Sequence, residues 1–149
     1  MRAVIQRVSR ASVSVDSRIY GEIGPGLLVL LGVQRDDTDT DADYIAAKTL
    51  GLRVFPDVEG KMNRSVVDTG GSVLIISQFT LFGDVRRGKR PSFIEAAEPA
   101  LADDLYERVC SAIEAASIPV QKGIFGAHMA VSLINDGPVT IQLDSRRLY

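Results

Sequence analysis

The sequence of 149 residues contains few of the side chains on which many enzymes and metal sites depend: one cysteine, one histidine and no tryptophan. The single cysteine, Cys110, cannot form a disulfide within the chain, and together with His128 it supplies too few soft ligands for a structural zinc site. A single histidine also limits the chain to one imidazole base. We therefore expect no metal and no cofactor, and any catalysis must work with few conventional groups.

Long hydrophobic runs are missing as well. The N-terminal segment from Met1 to Arg7 has no continuous apolar stretch, and no run in the chain approaches the roughly 18 apolar residues of a membrane helix. The sequence thus predicts neither a signal peptide nor a membrane span. We expect a cytoplasmic protein that does not bind membranes.

An excess of positive charge is also absent, because 17 Lys and Arg residues face 19 Asp and Glu residues, for a formal net charge of −2. This sign is unfavourable for a protein that coats long stretches of nucleic acid by neutralising phosphates. Four cations are nevertheless concentrated in one short segment, Arg86, Arg87, Lys89 and Arg90, which we call the basic loop. Such a run is either a solvent-exposed loop or a local binding site for a few phosphates.

The chain has a length typical of one domain, and it contains no internal repeat, low-complexity tract or linker-like segment. We therefore predict a single domain over residues 1–149. A chain of this length buries roughly 68–70% of its unfolded surface, so a hydrophobic core can stabilise it without disulfides or metals.

The first part of the sequence is typical of β-strands. Apolar residues alternate over residues 4–15, with an irregularity at 9–10, and a turn at 16–17 leads into a second strand over 18–23. This pattern predicts a β-hairpin. The uninterrupted apolar run over 27–33 is short and predicts a central strand that is buried on both faces.

Two segments have apolar residues at helical spacing. One begins after the acidic residues 36–39 and ends at Gly51, and the other begins after Pro99 and reaches Ala116. Further strands are predicted over residues 52–55, 73–79, 120–122 and 129–143. Strands dominate, and the two main helices must pack on them. We predict an α+β domain with a curved or closed, barrel-like sheet.

The segment Ser77-Gln78-Phe79-Thr80 ends a predicted buried strand with hydrogen-bonding side chains interleaved with apolar ones. In one interpretation the strand simply leaves the core, and its hydroxyls bond to backbone groups. In another, Ser77 is a nucleophile, although it lacks the Gly-x-Ser-x-Gly elbow of serine hydrolases and has only His128 as a base. The pattern alone leaves both interpretations open.

Two further segments lie near the C-terminal end of the sequence. Pro138, within residues 135–140, cannot donate to a sheet ladder and must lie at an edge, a turn or a bulge. The adjacent Gly137 would allow the backbone to approach a ligand closely. In the glycine-flanked loop over residues 123–129, Phe125 and Met129 are either core anchors or ligand-binding residues.

Taken together and in this order, these segments resemble the D-aminoacyl-tRNA deacylases. The resemblance covers essentially the whole chain, and its two signature segments are Ser77-Gln78-Phe79-Thr80-Leu81 and Asn135-Asp136-Gly137-Pro138-Val139-Thr140. Other matching segments are Met1–Val8, Gly60–Asn63, Arg90–Phe93 and Phe125–Met129.

The resemblance implies a homodimer of small barrel-like subunits with the active site at their interface. It also implies that the Gly137–Pro138 peptide is cis, and that this dipeptide of one subunit enters the pocket of the other. The implied reaction is hydrolysis of the carboxylic ester that joins a D-amino acid, or glycine, to the terminal adenosine of tRNA. An L side chain would be excluded by rigid main-chain atoms, a filter that glycine passes because it has no side chain.

The implied catalytic segment is Ser77, Gln78, Phe79 and Thr80. We hypothesise that backbone N–H groups around Phe79 and Thr80, helped by Ser77 and Gln78, hold the ester carbonyl. The vicinal 2′-hydroxyl of the ribose would then activate water, and no side chain would act as a nucleophile.

The resemblance implies that Gly137 and Pro138 bind the substrate. From their position and residue type, we expect Phe125, Met129 and Arg7 to bind the substrate as well. Phe125, like Phe79 of the catalytic segment, is expected to wall or stack on the terminal adenine, and Met129 to line the aminoacyl pocket. Arg7 is expected to border that pocket. The basic loop is expected to contact phosphates of the acceptor stem.

Three alternatives remain open from the sequence. The chain could be a non-catalytic barrel that binds an RNA end or a small ligand. It could be a hydrolase in which Cys110 or Ser77 works with His128. It could also resemble a related deacylase branch that has a trans Gly-Pro and tolerates an L-amino acid.

Overall fold

The computed structural model describes residues 1–148, and its first two strands form a hairpin. Strand β1 (Arg2–Val15) pairs antiparallel with β2 (Arg18–Ile23). The turn residues Asp16 and Ser17 have φ values of 48° and 66°, and two successive positive φ values are characteristic of the tight turns that match the twist of paired strands. The predicted hairpin is confirmed.

Strand β1 organises the sheet because it pairs with three other strands. Strand β3 (Gly26–Gly32) pairs with its first half and β2 with its second half, while β8 (Ala130–Asp144) runs along its opposite edge. The pairing of β1 with β8 is irregular between Gln6 and Arg10. The irregularity expected at residues 9–10 therefore lies within this distorted stretch.

The sheet continues from β3 to β6 (Ser72–Ser77) and β7 (Val120–Lys122), both in parallel pairing. At the other end of the sheet, β2 curls back towards β7, where a Cβ on Gly21 would lie 2.9 Å from the carbonyl oxygen of Lys122. The strand order β2-β1-β3-β6-β7, with β8 on β1, therefore gives a nearly closed barrel. The predicted α+β fold with a barrel-like sheet is confirmed.

Both predicted main helices are present. Helix α1 (Asp39–Gly51) begins with a capping box formed by Thr38 and Asp41. The long helix α3 (Pro99–Ala115) starts at a proline, which suits the first helical position because its missing N–H would have no partner there. Its core face packs against the sheet through Leu105, Tyr106, Val109, Cys110 and Ile113.

Two local predictions need correction, and one short element was not predicted. The strand expected over residues 52–55 is reduced to β4 (Phe55–Pro56), which pairs with β5 (Met62–Arg64). A one-turn helix, α2 (Val66–Thr69), was not predicted, although Ser65 and Asp68 form a capping box at its start. The strand expected to reach residue 79 ends at Ser77, and residues 79–82 form a 3₁₀ turn.

The start of the chain is fixed by a buried ion pair. The ammonium group of Met1 donates to Asp37 Oδ1 at 2.7 Å and to the Ser145 hydroxyl at 2.6 Å, and neither partner of the ion pair is exposed. This contact joins the first residue of the chain to the segment after β3 and to the end of β8. Within residues 1–148, no helix is both long and apolar enough to cross a bilayer.

Candidate active site

A cavity of about 560 Å³ opens where β6 ends. Its walls come from the residues that follow β6, from the start of α3 and from the loop between β7 and β8. Most of the lining is apolar, and the side chains that carry a polar group are Ser77, Gln78, Glu98 and Tyr106. A mostly apolar cavity with few polar groups is the usual form of a small-molecule site.

The predicted catalytic segment lies at this cavity. Ser77, Gln78 and Phe79 line it, whereas Thr80 is next to it and bonds through its hydroxyl to the Gln78 amide. The Gln78 backbone N–H donates to the carbonyl of Leu31 at 2.7 Å. Within residues 1–148, the N–H groups of Phe79 and Thr80 have no hydrogen-bond partner, as is usual at the start of a helical turn. Two backbone donors are therefore available beside the cavity.

Two aromatic pairs form the cavity walls. Phe79 and Phe93 meet edge to face with ring centroids 5.0 Å apart, and Phe79 is 57% exposed. The ring centroids of Tyr106 and Phe125, which also line the cavity, lie 6.1 Å apart. The Phe79 ring is exposed and the Phe125 ring is half-buried, so both are accessible to a flat apolar group.

Tyr106 connects this wall to the sheet. Its hydroxyl donates to the carbonyl of Ile75 in β6 at 2.9 Å, and burial raises its pKa far above the usual value for a tyrosine. The hydroxyl therefore remains protonated and remains a donor. It holds α3 against the strand that leads to Ser77.

Gly123 explains why Met129 lines the cavity. A Cβ at Gly123 would collide with the sulfur of Met129 and would also touch Ile76 at 3.4 Å. The missing side chain leaves room for Met129 against the barrel interior, and Met129 is part of the cavity wall.

The Gly137–Pro138 peptide is cis, and it lies in a bulge of β8. Gln6 pairs with Thr140 and Val8 with Asn135, so residues 136–139 bulge out opposite Arg7. The Asn135 amide closes the bulge, because its oxygen accepts from the Val139 N–H at 2.7 Å and its nitrogen donates to the Val139 carbonyl at 3.1 Å. Gly137 and Pro138 are exposed and are not part of the cavity wall of their own chain.

Arg7 lies beside this bulge and not beside the cavity. Its guanidinium donates to the carbonyl of Asp136 at 2.7 Å and to the carbonyl of Val54, and one of its nitrogens would lie 3.4 Å from a Cβ on Gly137. Arg7 therefore positions the dipeptide within its own chain.

The basic loop lies next to the cavity wall along the chain. Asp84 and Ser92 exchange two backbone hydrogen bonds of 2.8 and 2.9 Å, which close the loop immediately before Phe93. Arg86 is bound to the Asp84 carboxylate at 2.7 Å and holds the pKa of that carboxyl well below its usual range. The other three cations are exposed and make no salt bridge with any residue from 1 to 148: Arg87, Lys89 and Arg90.

The groups needed for a cysteine or serine hydrolase are not assembled here. Cys110 is buried in the core, where burial raises the pKa of its thiol to about 12. A thiol in this state is a poor nucleophile at neutral pH. His128 is exposed and is not part of the cavity wall that contains Ser77.

Several cavity residues were not singled out from the sequence. Tyr106 has the spacing of an ordinary core residue, and Glu98 precedes a helix where any polar residue is common. Ala96 and Ala97 reach the cavity because the segment before α3 is bonded to the chain after β3, through Ala97 N–H to Val33 carbonyl at 3.0 Å. No local sequence signal indicates such a long-range contact.

Comparisons with known proteins agree on one family. Residues 4–144 match the family model described as D-Tyr-tRNA(Tyr) deacylase. The chain is 58% identical to a D-aminoacyl-tRNA deacylase of Koribacter versatilis over 149 residues, covering 100% of both chains. It is 56% identical to a D-aminoacyl-tRNA deacylase of Symbiobacterium thermophilum, covering 100% of this chain and 99% of that one.

Two solved structures are also similar. One is described as c-Myc DNA Unwinding Element Binding Protein, with a TM-score of 0.90, 40% identity, and coverage of 97% of this chain and 98% of that one. The other, described as a probable eukaryotic D-amino acid tRNA deacylase, shares the fold at a TM-score of 0.81 and 19% identity, covering 95% and 97% of the two chains. From the full-length matches and the family model, the chain belongs to the D-Tyr-tRNA(Tyr) deacylase family.

Proposed function

We propose that this protein hydrolyses the ester bond between a D-amino acid and the terminal adenosine of tRNA, releasing the free D-amino acid and the tRNA. Glycine attached to tRNA is a second substrate. The observation that carries the proposal is the open, mostly apolar cavity at Ser77–Phe79 in a chain that belongs to the deacylase family.

The chemistry proposed for the site relies on backbone groups and on the substrate itself. The free N–H groups of Phe79 and Thr80, with Ser77 and Gln78 beside them, bind the ester carbonyl as its oxygen becomes negative. The ribose 2′-hydroxyl activates the attacking water. Accelerating hydrolysis of the ester about 10³–10⁴-fold requires the activation free energy to fall by roughly 4–5.5 kcal/mol. One well-placed oxyanion donor lowers it by roughly 2.7–4 kcal/mol. Two donors are sufficient for a labile ester.

Selection of the D-configuration is assigned to Gly137 and Pro138 of a partner subunit. The dipeptide is exposed, lies outside the cavity of its own chain, and is held by Asn135 and Arg7. These features suit a rigid projection that enters the cavity of a second copy in a homodimer. Its main-chain oxygens would face the substrate ammonium and leave no room for an L side chain.

Recognition of the tRNA end is assigned to the cavity wall and the basic loop. Phe79 and Phe125 bind the terminal adenine, because a base stacks readily on an accessible aromatic ring. Met129 lines the aminoacyl group. Arg87, Lys89 and Arg90 contact phosphates of the acceptor stem, and Arg86 lies with them although it is already bound to Asp84.

The direct test compares two substrates that differ only in chirality. Purified protein is incubated with D-Tyr-tRNA and with L-Tyr-tRNA, and amino acid release is measured above the spontaneous rate. We expect rapid release from the D-ester alone. Binding of both substrates without release would instead identify a non-catalytic RNA-end binding protein. Equal release from the D-ester and the L-ester would contradict the proposed selection by chirality.

A further inference from the structure

We propose that Arg2 is a positioning residue for the hydrolysis, because its guanidinium fixes the 3₁₀ turn over residues 79–82 that presents the backbone donors to the ester carbonyl. This inference rests on the proposed function of the cavity. Arg2 lies outside the cavity wall. It acts through the turn, by setting the direction in which the N–H groups of Phe79 and Thr80 point.

The first observation is that Arg2 lies in the middle of a row of three paired residues. In β1 it pairs with Gly32 of β3 on one side and with Asp144 of β8 on the other. The 3₁₀ turn packs closely against this row at Gly32. A Cβ there would lie 2.9 Å from the carbonyl oxygen of Gln78 and 3.0 Å from the ring of Phe82. Gly32 therefore leaves space for the turn, and Arg2 is the residue beside it in the row.

The second observation is that the guanidinium of Arg2 contacts the turn at two places. One of its Nη atoms donates to the carbonyl of Leu81 at 3.2 Å, and its central carbon lies 4.8 Å from the centroid of the buried Phe82 ring. A guanidinium over an aromatic face is attracted by the quadrupole of the ring. Because a short 3₁₀ turn has poorer hydrogen-bond geometry than an α-helix, contacts from outside are needed to fix it. Arg2 supplies two of them.

The third observation is that Asp144 fixes the guanidinium itself. The Asp144 side chain is only 3% exposed, and one of its oxygens accepts from Nε of Arg2 at 3.0 Å. Its other oxygen accepts from the backbone N–H of Arg146 at 2.8 Å. Hydrogen bonds between ionised groups are stronger than those between neutral ones. The carboxylate is thus held at the end of β8, and it holds the guanidinium of Arg2 against the turn.

The consequence for the reaction follows from how oxyanion donors work. They are effective only at about 2.7–3.1 Å from the position that the charged oxygen occupies in the transition state. Without the guanidinium, the N–H groups of Phe79 and Thr80 remain present, but the turn that directs them is free to shift. An interaction made mainly in the transition state affects kcat and leaves KM unchanged. Arg2 should therefore contribute to kcat and not to substrate binding.

The test uses Arg2→Met, which keeps an apolar stem and removes the guanidinium. We expect kcat on D-Tyr-tRNA to fall about tenfold while KM stays within about twofold of the wild-type value. The loss is smaller than the roughly 10²–10³-fold loss on removing a whole oxyanion donor, because the donors are misdirected but not lost. Hydrogen exchange at the amides of Leu81 and Gly83, which donate within the turn, should become faster.

The matched control is Arg10→Met, which removes the same group from an exposed position of β1 that pairs with Ile134. It should leave kcat and the exchange rates at their wild-type values. Asp144→Asn keeps the guanidinium and the size of its partner, and it gives the same test should Arg2→Met not fold. The double variant should lose about as much kcat as Arg2→Met alone, because both changes break one contact.

The outcomes separate this inference from the proposed function. An unchanged kcat in Arg2→Met, with or without faster exchange, would show that Arg2 does not position the donors, while the deacylase function stands. Losses that multiply in the double variant would show that Asp144 does not act through Arg2. If the wild type releases no amino acid from D-Tyr-tRNA, the proposed function fails, and the role of Arg2 in it fails as well.

Discussion

The cavity at Ser77–Phe79 and the bulge at Gly137–Pro138 use their polar groups in opposite ways. Beside the cavity, the N–H groups of Phe79 and Thr80 have no partner among residues 1–148. In the bulge, the Asn135 amide and the Arg7 guanidinium bind the surrounding backbone. A site that binds and releases a substrate needs hydrogen-bond donors that are free. A rigid projection instead has its backbone groups hydrogen-bonded to side chains of its own chain. Substitutions in the bulge and in the cavity should therefore have different effects on activity.

The largest effect is expected from Gly137→Ala. Gly137 has φ of 154°, and an added Cβ would lie 2.6 Å from the backbone nitrogen of Val139 and 2.7 Å from its Cγ2. The bulge must then shift, and a misplacement of about 1 Å in a positioning group costs on the order of 100-fold in rate. We expect kcat/KM on D-Tyr-tRNA to fall by about that factor.

Gly24→Ala is the control for this change, because a Cβ at Gly24 meets no atom within 4 Å. It should leave kcat/KM within twofold of the wild-type value, a change of under about 0.4 kcal/mol. Normal activity in Gly137→Ala would show that the bulge is not a rigid selecting element.

A smaller effect is expected on the cavity side from Gly123→Ala. The added methyl group collides with the sulfur of Met129, which must move along the cavity wall. The sulfur lies near the end of a flexible side chain and can move at little cost in stability, so we expect a thermal midpoint close to that of the wild type. We expect a KM for D-Tyr-tRNA that is about tenfold higher, which corresponds to roughly 1.4 kcal/mol of binding free energy. Adding Met129→Ala should restore KM, and failure to do so would show that Met129 does not shape the binding space.

Neutralising the exposed cations of the basic loop tests its role in RNA binding. In the triple variant Arg87→Gln, Lys89→Gln and Arg90→Gln, we expect weaker tRNA binding. The slope of the logarithm of the binding constant against the logarithm of the salt concentration should be shallower by about 0.9 for each phosphate that the loop no longer neutralises. The dissociation constant is measured between low and physiological salt. Arg35→Gln is the control, because Arg35 is already bound to Glu95. An unchanged slope in the triple variant would remove the loop from the tRNA interface.

The smallest effect is expected from Ser77→Ala and Thr80→Ala. If the backbone N–H groups and the substrate 2′-hydroxyl carry the reaction, each variant should keep kcat within about threefold of wild type, which is under about 0.7 kcal/mol. A D-Tyr-tRNA that ends in 2′-deoxyadenosine and carries the ester at the 3′ position should lose activity in the wild-type protein. Loss of activity in Ser77→Ala, together with full activity on the deoxy substrate, would reverse the proposed roles.

Periodicity predicted the elements that are long and regular. The alternation over residues 4–15 and the apolar run over 27–33 gave the hairpin and the central strand, and helical spacing gave α1 and α3. Short elements were missed or misplaced, because β4, α2 and the 3₁₀ turn at Phe79 contain too few residues to show a period. The turn matters most, since it is what leaves the N–H groups of Phe79 and Thr80 unpaired.

Only part of the candidate site was predicted from the sequence, because several of its residues depend on long-range contacts. The segment Ser77–Thr80 and the residues Phe125 and Met129 were expected at one pocket, and all of them except Thr80 line the cavity. Arg7 was expected at the pocket but lies against the bulge, where it bonds to Asp136 and Val54. Glu98 and Tyr106 were not singled out, because their membership of the wall depends on how α3 lies against β6.

The sequence by itself determined the strand and helix pattern, the scarcity of imidazole and thiol groups, and the two segments that indicate the family. Only the tertiary structure determines which side chains and backbone groups lie together at the cavity. Parallel pairing of β3, β6 and β7 sets the end of β6 beside the β7–β8 loop and the start of α3. Pairing of β8 with β1 carries Gly137 and Pro138 away from that cavity. Local propensity acts over a few residues, whereas these positions depend on contacts between residues far apart in the chain.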